Sequence, residues 1–486
     1  MSWRMSLRWA KPTAFSNIDK MILSNPAFFA ILLSTIVTIL IIFAAIRAQS
    51  LILIMLGIAI LIGFDLRSAF IIFESEFILI SSFGYILSSQ PETAFVQSIL
   101  YILIAKISIF VSMLFILKRY ANTPIAYKQI SAGNGLWSAS WILYAASTAA
   151  YLIFISIIFG NPVEAFSALQ RRAILYGSEV NFARIFLFIA ASALVVSGAI
   201  SRDKAPSHRK YVILIGLAHS GLVFLTGSRG LAVVQLAAVI YSCGLISSTR
   251  IFSIKNIAVG VIGLFTTYVA LVTGLALRIT AQSGQPFGRT LSEVASQGGA
   301  GILNSFNYFE LFSATVLFTQ ENGASFGSNF LNILLRPIPR SIWPEKPLGV
   351  GLQLREAFYG DRLSGVPPTF FGEFYLAFGW AGMVLAGALI VFAAGLVQKR
   401  EHATKNPYAI GFISIFTFSF PIEMMKSGFE VISIFYVYYA IGLTLLWASH
   451  RVLFTRKARS LSMSWRPASR NQIPSATSTS HSVHEH

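Results

Sequence analysis

The sequence predicts an all-α, polytopic integral membrane bundle of about twelve transmembrane helices with one large extramembranous loop. Three observations predict it. Hydrophobic residues make up 55% of the 486-residue chain and charged residues only 12%, where soluble proteins carry about 25% charged residues. Apolar runs close to the roughly 20 residues that a helix needs to cross the hydrocarbon recur along most of the chain. The basic excess of +18 falls between those runs in a pattern that topology explains without a polyanionic partner.

The first apolar run, residues 27–46, is long, lacks a small-residue cleavage site and is followed at once by another, so it reads as an uncleaved span. Further runs lie near 50–64, 69–88, 95–117, 136–160, 182–200, 211–226, 231–248, 254–277, 370–397, 407–422 and 430–449, the second and eleventh being short. An even number of spans places both termini on one side. With that side cytoplasmic, the inner segments are 1–26, 65–68, 118–135, 201–210, 249–255, 398–406 and 450–486. They hold 23 of the 37 Lys and Arg and 5 of the 19 acids, which is the whole net charge. The excess therefore reports orientation in a membrane and attraction to membrane lipids, and argues against nucleic acid. The domain plan that follows is a cytoplasmic segment 1–26, a bundle 27–277 of about nine spans, a large outer loop 278–368 with short amphipathic helices, three last spans in 369–449, and a disordered cytoplasmic tail 450–486. Cys243 is the lone cysteine, so no intrachain disulfide forms and the redox compartment stays open.

The cations left on the outer side are the informative ones, because positive charge there is selected against. Seven lie in the 278–368 loop: Arg278, Arg289, Arg336, Arg340, Lys346, Arg355 and Arg362. Six acids share that loop, so each cation either pairs internally or faces an anionic substrate. Arg336 to Pro347 packs four prolines and three cations into twelve residues, a rigid segment that neither a helix interior nor a central strand accepts. Arg229 stands in Leu225-Thr-Gly-Ser-Arg-Gly230, at the outer junction of two apolar runs. Gly227 and Gly230 permit a tight turn, Ser228 is a candidate cap, and a helix start there adds free amides to a guanidinium fork. The bland alternative is an arginine snorkelling at a helix end. Arg171 and Arg172 form a second outer pair, read either as a phosphate contact or as solvated loop charge. Thr369 is expected to cap the tenth span and to set Glu373 in its first turn, where it either complements the helix dipole or serves as a base or hydroxyl-orienting group. Between Ala300 and Thr319 the loop suits an amphipathic or re-entrant helix, with Phe306, Tyr308, Phe309 and Phe312 at the interface or stacked on sugars.

Several chemistries have no motif to carry them. The chain has no Asp-x-Asp, no nucleotide-binding glycine loop, no zinc-protease helix and no histidine in an outer loop. A metal or cofactor is therefore not expected, and cationic stabilisation of a leaving phosphate is.

In these residues the chain resembles the Wzy-type O-antigen and exopolysaccharide repeat-unit polymerases of bacterial inner membranes. The likeness rests on Thr226-Gly-Ser-Arg-Gly230, on Pro337-Ile-Pro-Arg340-Ser-Ile-Trp-Pro-Glu-Lys346-Pro347 in the largest outer loop, and on Gly372-Glu-Phe-Tyr375 leading to Gly379. The resemblance implies an inverting glycosyltransferase of GT-C-like architecture, acting on polyprenyl-diphosphate-linked oligosaccharides and needing no cofactor, with a polysaccharide chain-length regulator as a possible partner. Arg229 and Arg340 match the family's motif arginines and Glu373 a motif position, which makes these the candidate catalytic residues. Arg336, Lys346, Arg171, Arg172, Arg278 and Arg289 are the candidate substrate contacts. O-antigen ligases share the architecture but resemble a loop bearing a functional histidine, which this loop lacks. A lipid-linked sugar transporter would be expected to show repeated halves, and none is visible.

Overall fold

The computed structural model describes residues 26–69, 92–120, 134–161, 178–246, 265, 268–269, 272–277, 279–280, 283–296, 308–335, 343, 345, 348–360 and 365–455. Among these residues there is no strand. The spans are α1 (Pro26–Arg47), α2 (Leu51–Ile60), α3 (Glu92–Tyr120), α4 (Asn134–Phe159) and α5 (Ser178–Ser201). A hairpin follows, α6 (Pro206–Leu225) and α7 (Arg229–Ser242). The loop region holds α8 (Phe287–Ser296), α9 (Tyr308–Asn322), α10 (Ser328–Leu335) and α11 (Val350–Tyr359). The chain closes with α12 (Thr369–Ala403), α13 (Pro407–Lys426) and α14 (Phe429–His450).

Eight helices among the described residues are long and apolar enough to cross a membrane: α1 to α5 and α12 to α14. The protein is a polytopic helical membrane protein. Its outward faces stay apolar, with Phe115 and Ile157 76% and 77% exposed, as lipid-facing positions require. The helices meet instead through small residues: a Cβ on Gly442 would fall 2.6 Å from Ser192 Oγ, and one on Gly387 2.6 Å from the carbonyl of Ala105. Of the other expected spans, 211–226 and 231–248 form the α6–α7 hairpin, while 69–88 and most of 254–277 lie outside the described residues. α13 is the central helix, touching α2, α5, α7, α12 and α14 and buried along nearly its whole length.

Side-chain contacts fix which helix ends lie together. α3 runs parallel to α12, since Tyr101 meets Tyr375 and Ser108 donates to the carbonyl of Val384. Gln398 near the far end of α12 donates to the carbonyl of Ala48, so the α1–α2 turn sits at that end. Tyr241 at the end of α7 donates to Glu401, and Arg202 after α5 caps the carbonyls of Tyr241 and Ser242. This is the basic end of the bundle. The opposite end, which carries the loop helices, gathers the starts of α3, α7, α12 and α14 and the last residues of α2 and α13.

Two expectations need correcting against this arrangement. Residues 65–68 are not a solvated inner connection. α2 continues through a π-helical turn, Leu61–Leu66, to give one span over Leu51–Ala69, which is why the apolar run looked short. Asp65 and Arg67 are each 2% exposed. Asp65 pairs with Lys106 of α3 and accepts hydrogen bonds from Ser34 and Thr38 of α1, at 2.8 and 2.6 Å. Arg67 pairs with Glu310 of α9. A charge at this depth persists because partners replace its water. The second correction concerns Arg47, which lies between the first two expected spans and so falls outside in the twelve-span plan: its turn lies at the basic end.

Of the amphipathic or re-entrant helix expected between 300 and 319, the part from Tyr308 on is described as α9, and it is buried and not amphipathic. Tyr308, Phe309 and Phe312 are buried, Phe309 on Phe95 and Phe312 on Phe64, and Tyr308 lies where a Cβ on Gly63 would clash at 2.5 Å. They are core residues and not a sugar platform. Phe306 lies outside the described residues. α12 breaks at Gly379, whose φ of 60° and ψ of −141° are open only to glycine. Just before that break the carbonyl of Leu376 accepts the amide of Ser325 from the α9–α10 turn, at 2.7 Å. Past His450 the chain stays helical through Thr455, with Arg451 stacked 4.4 Å over Trp447. The rest of the tail lies outside the described residues.

Candidate functional site at the loop end of the bundle

α6 and α7 are joined by Thr226-Gly-Ser228, a turn that places Gly227 at φ 77°. α7 begins at Arg229, as its sequence leads one to expect. Ser228 takes the N-cap position, but its hydroxyl does not cap. It accepts instead from Arg184 Nη2 of α5, at 3.2 Å. A second cation is thereby fixed beside the helix start, and Arg184 is the residue the motif reading missed. Its signal is that of a cation near the outer end of an apolar run, seven residues into a helix whose partner no spacing rule reveals.

A third cation arrives from α13. Lys426, 42% exposed, has its Nζ 3.8 Å from the point where a Cβ on Gly230 would sit. Arg229 itself lies over Gly274, where a Cβ would stand 2.4 Å from its Cδ and 2.8 Å from its Nε. The glycine thus leaves the space that the guanidinium stem fills. We expect Gly274→Val to displace that stem and to reduce activity about as far as removing the arginine does, with membrane levels of the protein unchanged. Immunoblots run beside glycan gels check this.

Glu373 lies just past the first turn of α12 and not within it; Thr369, the first residue of that helix, gives the expected hydrogen bond, its Oγ1 accepting the amide of Gly372 at 3.1 Å. Thr369 holds φ 63°, a conformation that a β-branched residue adopts only under strain. Glu373 is 2% exposed. Its Oε2 accepts the amide of Glu430 at 3.2 Å, and its Oε1 stands 2.0 Å from the point a Cβ on Gly428 would occupy. The carboxylate therefore receives the first turn of α14, where amides lack intrahelical partners. Of the two sequence readings, the helix-terminus role is the one its contacts describe, on α14 and not on its own helix.

The α13–α14 junction brings these pieces together. Lys426 reaches the Arg229 side and Gly428 abuts Glu373, two residues apart. Arg289 lies elsewhere, 72% exposed on α8 and paired with Glu293 at 3.1 Å. Its contact is internal, one turn away on the same helix, and worth little in water. Arg171, Arg172, Arg278, Arg336, Arg340 and Lys346 lie outside the described residues. No cluster of three or more His, Cys, Asp or Glu suited to a metal occurs among the described residues.

The arrangement offers Arg184, Arg229 and Lys426 at the start of one helix. Such a site binds phosphate oxygens by dipole, fork and point charge together. Comparison of the chain with models of known families, with curated proteins and with solved structures finds no match.

Proposed function

We propose that the protein is a glycosyltransferase that polymerises polyprenyl-diphosphate-linked oligosaccharide repeat units at the periplasmic face of a bacterial inner membrane. In this reading the terminal hydroxyl of one lipid-linked unit attacks the anomeric carbon of the growing chain. The new glycosidic bond forms as the bond from that carbon to the diphosphate oxygen breaks, and polyprenyl diphosphate leaves with the electron pair. Charge grows on the diphosphate through the transition state, so preorganised cations lower the barrier more than they tighten ground-state binding.

The observation that carries the reading is the placing of Arg229 at the first position of α7, with Arg184 and Lys426 beside it, at the end of the bundle that carries the loop helices. The resemblance in the loop segment around Arg340 and the basic character of the opposite end support it. A two-part clamp follows as the working picture, Arg229 from the bundle and Arg340 from the loop. Deleting the gene and running the surface glycan on a gel tests the reading. A single-repeat band in place of a ladder is the expected result. Complete loss of lipid-attached glycan would mean a ligase instead, and lipid-linked units held on the cytoplasmic side a transporter.

A further inference from the structure

We propose that Glu423, on the last turn of α13, accepts the proton of the attacking sugar hydroxyl; this rests on the polymerase reading above. Glu373 is occupied in holding the start of α14 and has little left to offer a substrate. Glu423 differs. It is 2% exposed, and its Oε2 accepts the Ser427 hydroxyl at 3.0 Å. Among the described residues its Oε1 has no hydrogen-bond partner, and the cation beside it, Lys426 Nζ, stands 3.8 Å away, beyond hydrogen-bond reach. Buried carboxylate oxygens are almost always given a donor, because leaving one bare costs free energy.

The position suits the chemistry. Oε1 lies on the Lys426 side, and Lys426 approaches Gly230 on the first turn of α7. The backbone beneath is held, since the carbonyl of Glu423 accepts the amide of Ser427 at 2.6 Å. The charge of Glu423 also reaches α9, where it adds to burial in pushing the Tyr308 phenol up. A sugar hydroxyl supplies the one donor that Oε1 lacks, and it would do so beside the cations that receive the diphosphate. In the step, the acceptor oxygen bonds to the anomeric carbon, its proton passes to Oε1, and the electron pair of the broken carbon–oxygen bond leaves with the diphosphate.

The test uses the full chain in lipid nanodiscs, with undecaprenyl diphosphate as the binding probe and chain elongation on membranes as the assay. Glu423→Gln is expected to bind the probe within about twofold of wild type, to keep KM within a few-fold, and to lose about 10²- to 10⁴-fold in kcat, the usual range for a general base. Glu423→Asp is expected to recover part of that loss. An unchanged kcat in Glu423→Gln overturns the assignment. So does poor accumulation or loss of probe binding in that variant, which makes the residue a packing element. If the wild-type protein does not bind the probe and the deletion strain still makes full-length polymer, the polymerase reading itself has failed.

Discussion

Arg229→Ala is expected to abolish the long-chain glycan ladder while the protein still inserts and accumulates. The guanidinium sits at the start of α7, where helix amides and two further cations converge, so its loss removes the fork but leaves the dipole and the point charges. Removing one preorganised donor from a charge-stabilising site typically costs about 10²- to 10³-fold in rate. Arg229→Lys keeps a charge and loses the planar fork, and we expect it to recover little. Chain-length distribution on gels, normalised to protein in the membrane fraction, is the measurement. A wild-type ladder from Arg229→Ala would remove this arginine from the site. Equal activity in Arg229→Lys would reduce its part to a point charge.

Asp65→Ala and Lys106→Met, taken singly, are expected to be the most destabilising changes among the described residues. Each leaves its partner without its counter-ion in the centre of the α1–α2–α3 packing, 1 to 2% exposed, where among the described residues Asp65 keeps the Ser34 and Thr38 hydroxyls and Lys106 that of Ser34. Breaking a buried pair from one side costs about 3–5 kcal/mol, whereas replacing both members by apolar groups is often neutral. The double variant Asp65→Leu/Lys106→Met is therefore expected to recover most of the loss. Thermal unfolding in detergent, read as a double-mutant cycle, checks it. Additive losses would mean that the two groups do not act as a pair.

Hydropathy located the membrane helices because lipid imposes one simple rule, that a span be apolar and long enough. It misjudged α2 for the same reason. Asp65 and Arg67 look like the end of a span to any rule that treats charge as a mark of water. Only the third dimension supplies Lys106, 41 residues on, and Glu310, 243 residues on, as the groups that stand in for water. Sidedness followed: once 65–68 is taken as a connection, Arg47 falls on the wrong side. The helix start at Arg229 and the cap at Thr369 were legible because both are local, set by neighbours within four residues. Arg184, Lys426 and Glu423 carry no such local mark. Each sits at or near the end of an apolar run, where a charge is ordinary, and only the packing of α5, α7 and α13 brings them to one place. The aromatic residues of α9 were misread because a periodic apolar helix outside a span suggests an interface, whereas here other helices cover it on all sides.

The bond between the Ser325 amide and the Leu376 carbonyl uses main-chain atoms only. Substitution can reshape both side chains and leave it standing, so long as the turn keeps the glycines that hold φ 80° at Gly323 and 83° at Gly327. A change of length is different. One residue added to or removed from Gly323–Gly327 would shift the amide out of register and release the turn from α12, so in any related chain Ala324 and Ser325 should tolerate new letters far better than the turn tolerates a new spacing.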